Sequence, residues 1–205
     1  MRKYSTCLAA LLLMSTALTA DDTPVTSIDI SKYYNDYQLV KSTRKTRVLT
    51  AYTSRYLANP TKPIDIKAAT INALEPAYKG KQNARFFKNH LASKYRTSAQ
   101  RLNIDALNAH ELFCLGYLTL NDNYARQGEA ITLLKKASAK APHSYTIAAV
   151  LAMARGQRAL KSDWCEVWYS TEKVLGDKKL NRDLRTRARQ EFMQYMKKYK
   201  KYCKE

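Results

Sequence analysis

His110, Glu111 and Cys114 fall in one short run, HELFC, at positions 110–114. On a helix His110 and Cys114 stand one turn apart on one face, where two side chains can share a metal ion. The zinc-protease pattern, however, requires a second histidine at that spacing, and a structural zinc site requires four ligands. No third ligand lies nearby in the chain. The other histidines, His90 and His143, read as surface residues or turn partners. The sequence has no glycine-rich phosphate loop, no nucleophile elbow and no Cys-x-x-Cys pair. Asp163 and Glu166 have the spacing of a helix capping box, and Asn121-Asp122-Asn123 has that of a polar turn. The expectation is a chain without catalytic residues, metal ligands or cofactor.

The remaining chemistry is basic and aromatic. The C-terminal run FMQYMKKYKKYCKE sets Tyr195, Tyr199 and Tyr202 among Lys197, Lys198, Lys200 and Lys201. Two readings stand. The lysines complement the negative end of a helix dipole, or they form an exposed platform on which ammonium groups meet anions and phenols stack. These seven residues are the candidate partner-binding set. Residues 32–58 carry a second basic face, with Lys41, Arg44, Lys45, Arg47 and Arg55. Trp164 and Trp168, one turn apart, read as core.

Residues 1–20 have the three-part layout of a secretory signal peptide: Arg2 and Lys3, an apolar stretch, then small residues up to Ala20. The apolar run is about a dozen residues, against roughly 20 for a spanning helix. Cleavage is expected after Ala20, with Ala17 as the alternative. The mature chain would then lie outside the cytosol, in a periplasm or secreted. Removing Arg2 and Lys3 takes the net charge from +19 to +17. No acidic residue falls between Asp36 and Asp65, between Glu75 and Asp105, or between Glu129 and Asp163. So basic a chain attracts polyanions: anionic lipid, cell-wall or polysaccharide carboxylates, or acidic proteins. Nucleic acid does not suit that compartment. The alternative is a solvated surface whose charge aids solubility.

Few glycines and prolines and much Ala and Leu favour helices. The spacing predicts an extended lead-in over 21–30, then a single α-helical domain over 31–205. Helices are expected over 32–58, 66–74, 82–96, 104–121, 130–141, 145–161, 164–175 and 180–203. Asn59-Pro60 and Pro63 break the first from the second. Of the three cysteines beyond the leader, Cys114 reads as a buried thiol. About 11 residues separate Cys165 from the last turn and about 23 separate Cys203 from it. At 1.5 Å per residue the mismatch is roughly 15 Å. That argues against a bridge and leaves Cys203 free or intermolecular.

Residues 109–142 carry Leu112, Leu115 and Gly116 on one helix, then Ala130, Leu134, Ala137 and Pro142 on the next. Gly116 and Ala137 lack bulk where two helices must approach, the leucines fill the space around them, and Pro142 stops the second helix. This spacing resembles a tetratricopeptide repeat, and more closely a Sel1-like repeat, which tolerates the longer link between Gly116 and Ala130. Degenerate copies are read over 145–176 and 65–96, with 180–203 as a capping helix. The resemblance implies an all-α stack of antiparallel helical hairpins, a short α-solenoid. An irregular helical bundle is the alternative. The resemblance also implies a non-enzymatic adaptor whose concave face holds an envelope protein or peptide. A basic protein contacting cell-wall glycan, lipopolysaccharide or anionic lipid is the second reading.

Overall fold

The computed structural model describes residues 22–78 and 80–204. The leader assigned to 1–20 lies outside the described residues. Ten α-helices and three 3-10 turns make up the regular structure among them. A single bridge, Ser144 to Asn181, is the only β pairing found there.

The lead-in is not wholly extended. Thr23 caps one helical turn, α1 (Pro24–Ser27), in a capping box with Thr26. Ile28 and Ile30 follow, both buried. A 3-10 turn (Ser31–Tyr34) leads into α2 (Gln38–Thr46), and α3 (Ala51–Ala58) comes next. The single helix expected over 32–58 is therefore broken twice. Its main break is Arg47, in the left-handed region at φ 55°, whose N–H closes on Thr43 O at 2.7 Å. Thr50 then caps α3 through Thr53 N. Burial explains the break: Val40 and Leu57 are sealed, whereas the apolar Val48 and Tyr52 are 56% and 64% exposed. No one straight helix puts Val40 and Leu57 into the same core.

Prolines stop α3 as expected, and α4 (Ile64–Asn72) begins after Pro63. α5 (Asn83–Lys94) follows. α6 (Ala109–Asp122) starts with a reciprocal capping box: Asn108 accepts from Glu111 N, and Glu111 accepts from Asn108 N, each at 3.0 Å. Its end is not the simple polar turn expected. Asn121 and Asp122 are the last helical residues, and both are buried. Asn121 donates to Ile71 O at 2.9 Å, and Asp122 accepts from Ala84 N at 2.7 Å, capping α5 from a distance. α7 (Gly128–Lys140), α8 (Tyr145–Ala159) and α9 (Trp164–Gly176) match the expected spans closely.

α6 pairs with α7 and α8 with α9, and α7 also lies against α8. Each pair closes over a glycine. A Cβ on Gly116 would stand 3.0 Å from Leu134 Cγ and 3.2 Å from Leu134 N; one on Gly156 would stand 3.2 Å from Val167 Cγ1. Leu112, Leu115, Ala130, Leu134 and Ala137 are all buried. Pro142 is exposed, just past the end of α7. The chain is an all-α protein of stacked neighbouring helices, solenoid-like in form, with one core cluster extending from Val25 to Tyr199.

The last element differs from expectation. α10 (Thr186–Lys197) starts six residues after the expected position 180. Residues 177–185 form a loop held to the start of α8, where Asp183 accepts from Ser144 Oγ at 2.6 Å and from Thr146 N at 2.8 Å. These bonds hold residues 177–185 at the head of α8. The shortening makes α9 and α10 nearly equal, at 13 and 12 residues. After a 3-10 turn (Lys200–Tyr202), Cys203 returns to the head of α9 and is disulfide-bonded to Cys165. The expected length mismatch vanishes because it assumed one straight helix over 180–203.

Candidate partner-binding surface

α10 is amphipathic. Ala188, Phe192, Tyr195 and Met196 face inward, with Tyr199 just beyond, at the three- and four-residue steps of one helix face. Tyr195 and Tyr199 bond through their hydroxyls at 3.2 Å. These two phenols are thus core, not platform, because they share the stripe of Ala188 and Phe192. Tyr202 sits in the 3-10 turn and swings outward. It is 44% exposed and meets Trp164 edge to face at 4.6 Å. Trp164 is itself 46% exposed, against the reading of both tryptophans as core; Trp168 alone is buried.

Lys197, Lys198, Lys200 and Lys201 are all exposed. Lys197, Lys200 and Lys201, with Lys204, line a cleft of about 880 Å³ between α9 and the C-terminal segment, whereas Lys198 lies over the Tyr195 ring at 4.5 Å. Trp168, Tyr169 and Glu172 form the α9 wall, and the Cys165–Cys203 bridge closes one end. The local sequence explains the wall. Asp163 caps α9 by accepting from Cys165 N and Glu166 N, at 2.9 and 3.3 Å. The reciprocal half of that capping box is missing, since Glu166 instead accepts from Ser170 Oγ. Val167 and Thr171 turn inward, which leaves Tyr169 and Glu172 outward. Among the described residues, Lys197, Lys200, Lys201 and Lys204 make no ion pair. Lys200 lies over the Trp168 ring at 5.9 Å, and Lys173 over Tyr169 at 4.1 Å.

The other face of the stack is already occupied. α4, α6 and α8 are the first helices of the three hairpins read from the sequence. The chain's own residues 24–46 cross this side, with α1 against α8, the 3-10 turn against α4 and α10, and α2 against α4. Val25 N donates to Gln157 Oε1 on α8 at 3.2 Å. Asn72 on α4 accepts from Ser31 N and donates to Ile28 O, at 3.0 and 2.9 Å, and its amide also reaches Tyr117 OH on α6. Tyr34 is fully buried and donates to Asp65 at 3.0 Å; Tyr33 donates to Glu191 on α10. Arg185 stacks over Tyr34 at 4.5 Å and pairs with Asp36. Residues 24–46 thus form an N-terminal strap along α4 and α8. The strap's apolar residues Val25, Ile28, Ile30 and Tyr34 were visible in the sequence, but nothing in their spacing says where they dock.

Sequence reasoning also missed Lys67. Its side chain is sealed beneath α6, where Nζ donates to Asn59 O at 2.6 Å and stands 2.9 Å from His110 Nδ1. Burial pushes the Lys67 ammonium below its ordinary range. Burial, then the neighbouring Lys67 charge, pushes His110 down to about 4. Cys114 is fully buried beside Leu57 O, and burial pushes its thiol up to about 12. An imidazole nitrogen engaged by an ammonium and a sealed thiol do not make a pair of metal ligands. Among the described residues no three potential ligands cluster anywhere.

Among the described residues no helix is long and apolar enough to cross a membrane. Comparison with protein-family models, with curated proteins and with solved structures finds no match.

Proposed function

We propose that the chain is an exported, non-enzymatic adaptor of the bacterial envelope, of the tetratricopeptide or Sel1-like kind, that binds a partner protein or peptide. It does so through the cleft between α9 and the C-terminal segment, not through the inner face of the stack. The observation that carries this reading is the contrast between the two faces. The inner one is crossed by residues 24–46, while the outer one holds a shaped cleft whose lysines make no ion pair among the described residues. Glycine-mediated closure of two successive hairpins supports the repeat reading, and the layout of residues 1–20 supports export.

Immobilised mature chain, exposed to envelope extract at moderate salt, is expected to retain a specific polypeptide that survives a salt wash. N-terminal sequencing of the natural protein should begin at Asp21. A second reading, direct contact with anionic glycan, lipopolysaccharide or lipid, is favoured by the surplus of cations over acids. Retention of only such polyanions, released steeply as salt screens the charges, would replace the adaptor with that reading.

A further inference from the structure

We infer that the α9 cleft takes an acidic, extended peptide segment of the partner protein, held by carboxylate-to-lysine contacts over the Trp168 edge. The inference rests on the adaptor reading above and names the chemistry of its ligand.

Charge is the first argument. Lys197, Lys200, Lys201 and Lys204 line one concavity in which Glu172 is the only acid among the described residues. None of the four makes an ion pair among the described residues. Four like charges gathered in one cleft repel one another, and a complementary anionic ligand relieves that repulsion while steering the encounter.

Shape is the second argument. From Cys165 to Glu172 the α9 wall rises through seven residue steps, about 10 Å at 1.5 Å per residue. An extended chain covers that length in roughly three residues, so alternate side chains of a short acidic stretch reach the lysine wall.

The third argument separates a peptide from a glycan. Sugars stack on open aromatic faces, but Trp168 is only 8% exposed and carries Lys200 over its ring, and Tyr169 carries Lys173. A cation already lies over each ring, although Tyr169 remains 47% exposed, and ammonium donors outnumber the rings in the cleft. A flat anionic membrane is disfavoured because these cations line a recess rather than a protruding face.

The bridge shapes the cleft. Cys203 anchors the lysine-bearing wall to the head of α9, so ligand affinity depends on that bond remaining oxidised.

The chain's two tryptophans, Trp164 and Trp168, both sit on α9 at this site, so intrinsic fluorescence reports on it. The oxidised mature chain would be titrated with an acetylated six-residue peptide alternating aspartate and leucine. Three probes run beside it: the same peptide with asparagine for aspartate, an oligogalacturonate of equal charge, and phosphatidylglycerol vesicles. The expected result is a saturable fluorescence change with the acidic peptide and roughly ten-fold weaker binding of the asparagine peptide. The double variant Lys200→Glu, Lys201→Glu should bind the acidic peptide at least ten-fold more weakly. The variant Lys135→Glu, Lys178→Glu has the same net charge but alters exposed lysines elsewhere, and should bind within about two-fold of the parent. Cys165→Ser with Cys203→Ser should weaken binding as well. Circular dichroism checks that each variant is folded.

Equal binding of the acidic and asparagine peptides, or equal losses in the two lysine pairs, would overturn the inference. So would tighter binding of oligogalacturonate or vesicles than of the acidic peptide. If envelope extract yields a polypeptide partner while the acidic peptide fails, the cleft assignment is wrong and the adaptor reading stands. If the peptide binds while no polypeptide is ever retained, the adaptor reading is the one that fails.

Discussion

The α6–α7 hairpin and the α9–α10 unit hold together by different means. α6 and α7 close over Gly116 with a dry contact to backbone and branched side chain, and every packing residue on both helices is buried. The α9–α10 unit rests on α8 over a more forgiving surface: the Cβ position of Gly156 on α8 faces Met196 Cε of α10 at 2.9 Å, the end of a flexible side chain. The far ends of α9 and α10 are joined covalently, and beyond α10 the lysine-clad segment is otherwise held by Tyr199 in the core and Tyr202 against Trp164. Close packing suits the part that only has to be rigid. A staple suits a part that must stay charged and open to solvent, because like charges and exposed surface contribute little cohesion of their own.

The largest test of that contrast is the staple. Cys165→Ser with Cys203→Ser opens a 38-residue loop, which by chain entropy costs about 3–4 kcal/mol. Urea unfolding of the oxidised protein and the variant measures this. A loss under about 1 kcal/mol would mean that noncovalent packing already holds the C-terminal unit.

Gly116→Val comes next. Its new atoms would press on Leu133 Cβ, Leu134 Cγ and Leu134 N, within 3.0–3.2 Å. Overpacking at a site that cannot give way costs about 2–3 kcal/mol. A variant as stable as the parent would show that α6 and α7 can slide apart.

Acid should act on the α6 side of the molecule. The His110 pKa is depressed to about 4 when folded, so its contribution is present above the ordinary histidine pKa near 6.5 and is lost as pH falls toward 4. The full shift would correspond to about 3 kcal/mol; discounted for the ring's partial exposure, about 1–2 kcal/mol is expected. Stability measured from pH 7 to 4 should fall less in His110→Gln than in the parent. Equal slopes would remove Lys67 and His110 from the account.

The smallest effect separates the two glycines. Gly156→Ala should lie within about 0.5 kcal/mol of the parent, since Met196 can swing aside and alanine favours the helix by up to about 1 kcal/mol. The same change at Gly116 should be clearly destabilising, because a backbone nitrogen cannot move away. A thermal melt of the two alanine variants decides whether the hairpins differ as described.

Much of this was legible in the sequence and some was not. Proline and glycine marked the breaks after α3, α4, α7 and α9, and Gly116, Ala130, Leu134 and Ala137 were readable as a close contact because small residues at helical spacing have few other uses. The break at Arg47 was illegible, since an arginine in the left-handed region carries no compositional mark. Tyr195 and Tyr199 looked like ligand-binding residues because amphipathic phenols serve cores and surfaces alike. Their burial follows from sharing one helix face with Ala188 and Phe192.

Amino-acid order alone determined the helical class, the paired α6–α7 hairpin and the excess of positive charge, because propensity, periodicity and ionisation are local properties of the chain. Only the tertiary structure decided that residues 24–46 cover the inner face, that Cys165 reaches Cys203 and that the lysines surround a recess. Each of these joins residues far apart in the chain, and such a contact forms only where the packing of everything between brings its ends together.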